Sequence, residues 1–121
     1  MKKSILQEKS YSFAIRIVRL SQYLRNKQNE FVLSKQILRS GTSIGVLIRE
    51  AEYAQSNADF INKFSIALKE ANETDYWANL LKDTDYLESR LFESIVADSN
   101  ELISMLVSTI KTLKSKKTLN S

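Results

Sequence analysis

Two pairs of carboxylates in this 121-residue chain have a spacing that suits metal chemistry. Glu70 and Glu73 lie three residues apart, and so do Asp98 and Glu101. Residues three apart share one face of a helix, and carboxylate oxygens on two neighbouring helices can hold Mg²⁺. A Mg²⁺-dependent nucleotide phosphohydrolase is therefore one hypothesis for the function.

The composition weighs against this hypothesis and against most other catalysis. The chain has no cysteine and no histidine, which excludes thiolate zinc sites, serine–histidine dyads and the Glu-x-x-His pairs of di-iron bundles. The first carboxylate pair resembles a motif of all-α nucleotide pyrophosphatases, but the segment 98–101 matches their second motif poorly. We therefore predict a protein that is not an enzyme and that has no catalytic residue, metal or cofactor.

Charge is distributed unevenly along the sequence. Residues 1–49 hold ten lysines and arginines and two acids, a net charge of +8, whereas residues 50–101 have a net charge of −8 and residues 102–121 of +4. This asymmetry has two interpretations. Either the opposite charges pair between neighbouring helices, or a charged face binds a partner.

The basic residues of the first segment suggest nucleic acid as that partner. They recur along a predicted helix, with a tyrosine among them that can stack on an unpaired base, and lysines of the last helix are expected alongside. The candidate nucleic-acid-binding residues are Lys9, Arg16, Arg19, Tyr23, Lys27, Lys111 and Lys114. The lysines near both termini, including Lys2, Lys3, Lys116 and Lys117, predict that one end of the molecule is strongly basic.

Hydrophobic periodicity indicates four helices joined by three short turns. They are predicted over residues 4–27, 34–54, 57–82 and 86–114, with a frayed tail over 115–121. Short turns force sequential helices to run antiparallel, so we predict an all-α, up-down-up-down antiparallel four-helix bundle, one domain over residues 1–121. No window is apolar enough to span a membrane, and the amino-terminal apolar run is too short for an export signal, so we expect a cytoplasmic protein.

Features of two helices predict how they pack. Gly41 and Gly45 lie inside the second helix, for which Ser34 is the predicted N-cap. Glycine costs a helix about 1 kcal/mol relative to alanine, and close approach of a neighbouring helix would offset that cost. A phosphate-binding loop is excluded, because no strand precedes Gly41 and no Gly-Lys-Ser/Thr follows it. The fourth helix has two apolar rows, one containing Leu91 and the other Val96, which indicates burial over a wide arc or contact with a second subunit.

Several segments of the second and third helices together resemble a known family. They are LRSGTSIG at residues 38–45, IREA at 48–51, DFINK at 59–63, IALKEANET at 66–74, and the pair Tyr76 and Trp77. Over about residues 10–113 the chain resembles the four-helix-bundle proteins encoded in intervening sequences of bacterial 23S ribosomal RNA genes, and it is similar to the accessory variability determinants of diversity-generating retroelements. The resemblance implies a ring-like homopentamer. The retroelement relatives further imply binding to nucleic acid and to a reverse transcriptase.

The matching segments contain a set of polar residues on two helices. The set is Arg39, Ser43, Glu50, Lys63, Glu70, Glu73 and Trp77. Their spacing favours an ionic contact at a helix or subunit interface, which would fix register rather than do chemistry. Contact with a ligand is the alternative interpretation. Leu47 stands where relatives often have asparagine, so any polar role of that asparagine would be lost here.

These observations favour a non-enzymatic, self-assembling helical bundle that binds RNA or DNA through a basic surface. A purely structural or protein-binding oligomer, for example a partner of a reverse transcriptase, is the alternative, and the phosphohydrolase is a third hypothesis. The expected partners are further copies of the chain, in a pentamer, and RNA or DNA, with no membrane.

Overall fold

The structure, a computed structural model, describes the backbone of residues 4–119 and the side chains of residues 4–116. Its helices are α1 (Ile5–Lys27), α2 (Leu33–Ala51), α3 (Asn57–Asp83) and α4 (Ser89–Leu119). No strand occurs within these residues, and each helix packs against its neighbour in sequence, which confirms the predicted all-α four-helix bundle. In the part of the chain described, none of the helices has a segment long and apolar enough to cross a membrane.

Serine side chains cap the first turns of α1 and α3. Ser4 Oγ accepts a hydrogen bond from the N–H of Gln7 at 3.1 Å, and Ser56 Oγ accepts one from the N–H of Asp59 at the same distance. Both residues are in extended conformations that precede the helix. They satisfy N–H groups that have no partner inside the helix.

A buried glutamate takes the capping role at α2. The helix begins at Leu33, so the prediction that Ser34 is its N-cap is wrong. Glu30 Oε1 accepts the N–H of Ser34 at 2.7 Å, and Ser34 Oγ donates to the carbonyl of Glu30 at 2.8 Å. The Glu30 carboxylate therefore lies at the positive end of the α2 dipole, where a negative charge is favourable.

Residues in the left-handed region end α1 and α3. Asn29 has φ 53° and Asp85 has φ 68°, a conformation that asparagine and aspartate tolerate better than other side chains. After α3, the N–H of Tyr86 donates to the carbonyl of Leu81 at 2.9 Å, and the N–H of Asp85 donates to that of Lys82 at 3.1 Å. This pair of bonds is a Schellman motif, which stops α3 sharply.

Two predicted helix boundaries shift because of local hydrogen bonds. α4 begins at Ser89 rather than at residue 86, because Tyr86 belongs to the motif that closes α3. α2 ends at Ala51 rather than at residue 54, because the N–H groups of residues 52–54 bond three residues back and tighten the chain into a turn.

The carboxyl end of α4 also differs from the prediction. The helix continues to Leu119, five residues beyond the predicted end at 114, so residues 115–119 of the predicted frayed tail are helical. The segment contains no helix-breaking residue, and its lysines are favourable at the negative end of the helix dipole. Residues 120 and 121 lie outside the described part of the chain.

All four helices contribute to one hydrophobic core. α3 contributes small side chains such as the fully buried Ala67 and Ala71, so its neighbours approach it closely. Both apolar rows of α4 contribute to this core. Leu102, in the same row as Leu91, and Leu106, in the same row as Val96, are buried. Burial over a wide arc therefore accounts for part of these rows, while Leu91 stays 36% exposed.

Gly41 sets the distance between α1 and α2. A Cβ atom at Gly41 would lie 2.8 Å from both Cγ1 and Cγ2 of Ile17, a fully buried, β-branched side chain with little rotamer freedom. A Cβ atom at Gly45 would instead meet Ser10 Oγ at 3.5 Å, an ordinary van der Waals distance. The predicted close approach of a neighbouring helix therefore occurs at Gly41, and Gly45 has room for a methyl group.

Replacing each glycine by alanine separates close packing from helix propensity. We expect Gly41→Ala to lower the free energy of unfolding by about 1–3 kcal/mol, because overpacking forces Ile17 or the α1 backbone to move. Gly45→Ala is the matched control and should raise it by up to about 1 kcal/mol, because alanine is the better helix former. Urea unfolding followed by circular dichroism measures both, and equal effects would contradict a close approach specific to Gly41.

Candidate nucleic-acid interface

The basic side of α1 borders α4. Lys9 Nζ lies 2.5 Å from Glu101 Oε1, and Arg16 Nη1 lies 2.6 Å from Asp98 Oδ2. Arg16 also donates to the carbonyl oxygen of Ser94 at 3.3 Å and to its hydroxyl at 3.0 Å. The hydrogen bond to Glu101 raises the pKa of Lys9. Two of the predicted phosphate-binding residues are therefore already neutralised within the chain.

Three other predicted residues remain accessible on α1. Arg19 and Lys27 are exposed and make no ion pair with any side chain of residues 4–116. Tyr23 Oη accepts a hydrogen bond from Gln28 Nε2 at 2.7 Å, while the side chain stays 41% exposed. Arg19, Tyr23 and Lys27 therefore have the access that phosphate contact and base stacking require.

The predicted lysines of the last helix lie at the other end of the bundle. Lys111 and Lys114 are exposed near the carboxyl end of α4, which is close to the start of α1 because α1 and α4 run antiparallel. Arg19 and Lys27 lie toward the opposite end of α1, so the structure separates the candidate residues into two groups. Residues 1–3 and the side chain of Lys117, which the predicted basic end includes, lie outside the described residues.

Exposed carboxylates are missing from most of α1 and α2. Between Lys9 and Arg49 the sequence has a single acid, Glu30, and that residue is only 8% exposed and caps α2. Arg25 and Lys35, on either side of the α1–α2 turn, are exposed and form no ion pair within residues 4–116. Neither residue is among those predicted from the spacing of basic residues, although the scarcity of acids between residues 9 and 49 indicates both. We call the four exposed cations that are spread around α1 and the start of α2 the basic surface: Arg19, Arg25, Lys27 and Lys35.

The polar set singled out by the family resemblance meets between α2 and α3. Arg39 Nη1 lies 3.2 Å from Glu70 Oε2, and Arg39 Nη2 bonds to Glu73. Ser43 Oγ donates to Glu70 Oε2 at 3.3 Å, and Trp77 Nε1 donates to Glu73 Oε2 at 3.0 Å. One guanidinium therefore bridges two carboxylates, and each carboxylate accepts a further hydrogen bond from the same set.

Further contacts extend this interface along the two helices. Lys63 Nζ lies 3.5 Å from Glu50 Oε1, and in the core Thr74 Oγ1 donates to Ser40 Oγ at 2.9 Å. Leu47 is half-buried and packs against the hydrophobic core. The geometry suits an interface that fixes the register of α2 against α3.

The two carboxylate pairs considered for Mg²⁺ belong to different helix contacts. The pair on α3 is held by Arg39 of α2, whereas the pair on α4 is held by Arg16 and Lys9 of α1. Among the residues described, no group of three or more acidic side chains is placed to share a metal ion. The two pairs are thus not brought together.

Two carboxyl groups on α3 have pKa values shifted in opposite directions. The hydrogen bond from Trp77 and the guanidinium of Arg39 lower the pKa of Glu73 below its ordinary 4.5. Burial raises the pKa of Asp75 above its ordinary 3.8, although Ser99 Oγ of α4 donates a hydrogen bond to its Oδ1. The ionised form of Glu73 is therefore favoured at the α2–α3 contact, and the ionised form of Asp75 is disfavoured at the α3–α4 contact.

Comparison with known proteins identifies the family. The family model described as 23S rRNA-intervening sequence protein matches residues 2–108, and the chain belongs to this family. Among solved structures, the chain is similar to a protein with unknown function from the S23 ribosomal protein family of Bacteroides thetaiotaomicron VPI-5482, determined at 1.70 Å resolution. The two share 61% sequence identity with a TM-score of 0.88, over 88% of this chain and 99% of the other. Comparison with curated proteins gives no match.

The shifted carboxyl groups predict opposite pH effects for two conservative substitutions. Glu73 has its pKa lowered by folding, so its contribution to stability is present above its ordinary pKa and is lost as the pH falls through the folded value. Asp75 has its pKa raised, so its contribution is present below its ordinary pKa and is lost as the pH rises through the folded value. We therefore expect Glu73→Gln to destabilise the protein at about pH 7 more than at about pH 3.

Asp75→Asn, which keeps an acceptor for Ser99, should behave in the opposite way. Relative to the native chain, it should gain stability between about pH 3 and pH 7, because the native carboxyl must ionise in a buried position. Urea unfolding at a series of pH values measures both variants. Parallel pH profiles for the two would contradict the opposite shifts.

Proposed function

We propose that this protein is a self-assembling, non-catalytic helical bundle that binds RNA or DNA through its basic surface. The observation that carries the proposal is that these exposed cations of α1 and α2 form no ion pair within residues 4–116, and that the single carboxylate between Lys9 and Arg49 in the sequence is turned into the α2 cap. Exposed cations that form no ion pair within the chain are the expected footprint for phosphate contacts.

The basic surface can contact phosphates but has no element that recognises the base sequence. Arginine and lysine side chains on helix surfaces contact phosphates of any sequence, whereas base readout requires side chains placed in a groove or around a splayed base. We therefore expect binding with little sequence preference and a steep dependence on salt. In a ring of subunits the basic surface would be repeated, and avidity would multiply weak contacts.

Removing charge from the basic surface tests the proposal. Arg19→Gln combined with Lys27→Gln should weaken binding of unrelated RNA and DNA sequences about equally, and should lower the salt slope by roughly 0.7–0.9 for each phosphate that is no longer neutralised. Fluorescence anisotropy with labelled single-stranded RNA and duplex DNA over a salt series measures both quantities.

A matched variant controls for net charge. Arg49→Gln combined with Lys69→Gln removes the same number of charges from exposed positions at the end of α2 and on α3, and should change binding much less. Equal weakening by the two double variants would show that binding follows net charge rather than this surface. Absence of binding by the native chain even at low salt would refute the proposal.

Self-assembly has its own support in exposed apolar side chains. Tyr11 and Val18 of α1 and Val46 of α2 are 66%, 37% and 56% exposed. Gly45 lies beside Ser10, so Tyr11 and Val46 are at the same level of the bundle, away from the basic surface. Apolar side chains at this position are what a subunit contact would bury.

Light scattering tests the assembly. The resemblance implies five copies of the 13.9 kDa chain, and Val46→Lys should shift the mass toward the monomer because it places a charge in the proposed contact. Tyr76→Lys, at an exposed position on α3, is the control and should leave the mass unchanged. A native chain that stays monomeric at micromolar concentration would contradict self-assembly, and a dimer would contradict only the stoichiometry.

A purely structural or protein-binding oligomer is the second candidate, favoured by the same exposed apolar side chains. In that case the native chain assembles but binds neither RNA nor DNA at low salt. The resemblance to retroelement accessory proteins would then make a reverse transcriptase the protein partner to test, by co-purification.

A further inference from the structure

A groove runs between α1 and α4, which of the packed helix pairs have the sparsest contact. It encloses about 420 Å³. Its floor is formed by Leu20 and Ile95, which are buried, and its rim by Ile15, Tyr23 and Leu91, which are partly exposed. The groove is therefore an apolar slot with a rigid floor and one aromatic wall.

Only Arg19 brings a positive charge to the groove that is not paired within residues 4–116, since Arg16 is paired with Asp98. On its side away from the groove, Tyr23 lies beside Asp85 and Glu88. Arg16 and Arg19 line the groove, and no carboxylate of the described residues does. Arg16 is held by Asp98 and by Ser94, so it ties the two helices together beside the slot. The guanidinium of Arg19 makes no ion pair with the side chains of residues 4–116, and it belongs to the basic surface. An occupant that is apolar and flat in one part and anionic in another complements this arrangement.

The size of the groove argues for a small occupant. Its volume falls within the range of roughly 300–1,000 Å³ that is usual for small-ligand sites. A stable subunit contact needs about 20–30 residues and about 800 Å² on each partner, far more than these side chains provide. The occupant is therefore better described as a single group inserted into the slot than as a packed helix.

We infer that this groove receives one unpaired nucleobase of a bound strand, with the base against Tyr23 and the adjoining phosphate at Arg19. The inference rests on the proposed nucleic-acid binding and adds that the preferred substrate is single-stranded, because a base in a duplex is not free to leave its stack. Bases of every type stack on aromatic side chains and on arginine planes, so the pocket needs no sequence preference. The hydrogen bond from Gln28 to Tyr23 Oη holds the ring in place before binding.

Substitutions at Tyr23 test the pocket with a short single-stranded RNA that contains one 2-aminopurine, and with the same RNA annealed to its complement. Tyr23→Leu should weaken binding of the single strand about tenfold, the usual effect of removing one stacking side chain, and should leave duplex binding unchanged. Tyr23→Phe keeps the ring and should bind the single strand nearly as well as the native chain. Tyr53→Leu, at an exposed tyrosine just after α2, is the control and should have no effect.

Two further readouts separate stacking from charge. Binding of the native chain should quench the 2-aminopurine fluorescence, and Tyr23→Leu should reduce that quenching. The salt slope of Tyr23→Leu should equal that of the native chain, because the substitution leaves every cation of the basic surface in place. If Tyr23 has only a structural role, Tyr23→Leu should weaken binding of the single strand and of the duplex together. Circular dichroism of the variant would then show a loss of helix.

The outcomes distinguish this inference from the proposed function. If Tyr23→Leu binds both RNAs normally while Arg19→Gln with Lys27→Gln weakens both, the pocket is wrong and the proposed function stands. If the native chain binds neither RNA, the proposed function and the pocket fail together. If Tyr23→Leu instead changes the mass measured by light scattering and leaves RNA binding intact, the groove takes a side chain of a second copy, which overturns the inference.

Discussion

The contact between Gly41 and Ile17 is the constraint on which the rest of the bundle depends. It allows α1 and α2 to approach at one level, and Ser21 Oγ, which donates to the carbonyl of Ser34 at 3.3 Å, holds them at another. A side chain at Gly41 would move the helices apart or slide them past each other. Since α3 packs on α2 and α4 on α3, such a shift would alter the level of every contact that follows.

The register of the helices determines which charged side chains form ion pairs within the molecule. Lys9, Arg16 and Arg39 come from the basic first part of the sequence, and each pairs with an acid from the second part. These pairs are partly exposed, so each adds little stability by itself, and their main effect is to orient the helices. The cations that remain on α1 and α2 form no ion pair with the side chains of residues 4–116. The basic surface therefore consists of cations of α1 and α2 that form no ion pair within the described part of the bundle.

The sequence predicts what depends on local periodicity and fails where distant residues decide. Apolar spacing and short turns were enough for four antiparallel helices, because a helix needs one apolar face and a short turn reverses direction. The start of α2 was misplaced because a buried glutamate, rather than a serine, supplies its cap. The spacing of basic residues made both Arg16 and Arg19 candidates for phosphate binding. Only the register of α1 against α4 shows that Arg16 pairs with Asp98, whereas Arg19 lines the groove without a carboxylate partner among residues 4–116. In the same way, the polar set could be assigned to helix faces, whereas the choice of Glu70 and Glu73 as partners of Arg39 required the α2–α3 register.

The groove between α1 and α4 follows from how the chain closes the bundle. These are the first and last helices, with no turn to join them, and their contact depends on long polar side chains more than on small apolar ones. Small side chains such as the alanines of α3 let two helices pack closely. A lysine or arginine that reaches across to a carboxylate holds two helices farther apart. The separation leaves Leu20 and Ile95, both buried in the core, at the bottom of the groove. The same ion pairs that limit the basic surface thus create the opening beside it, and stronger apolar packing along this seam would close the slot.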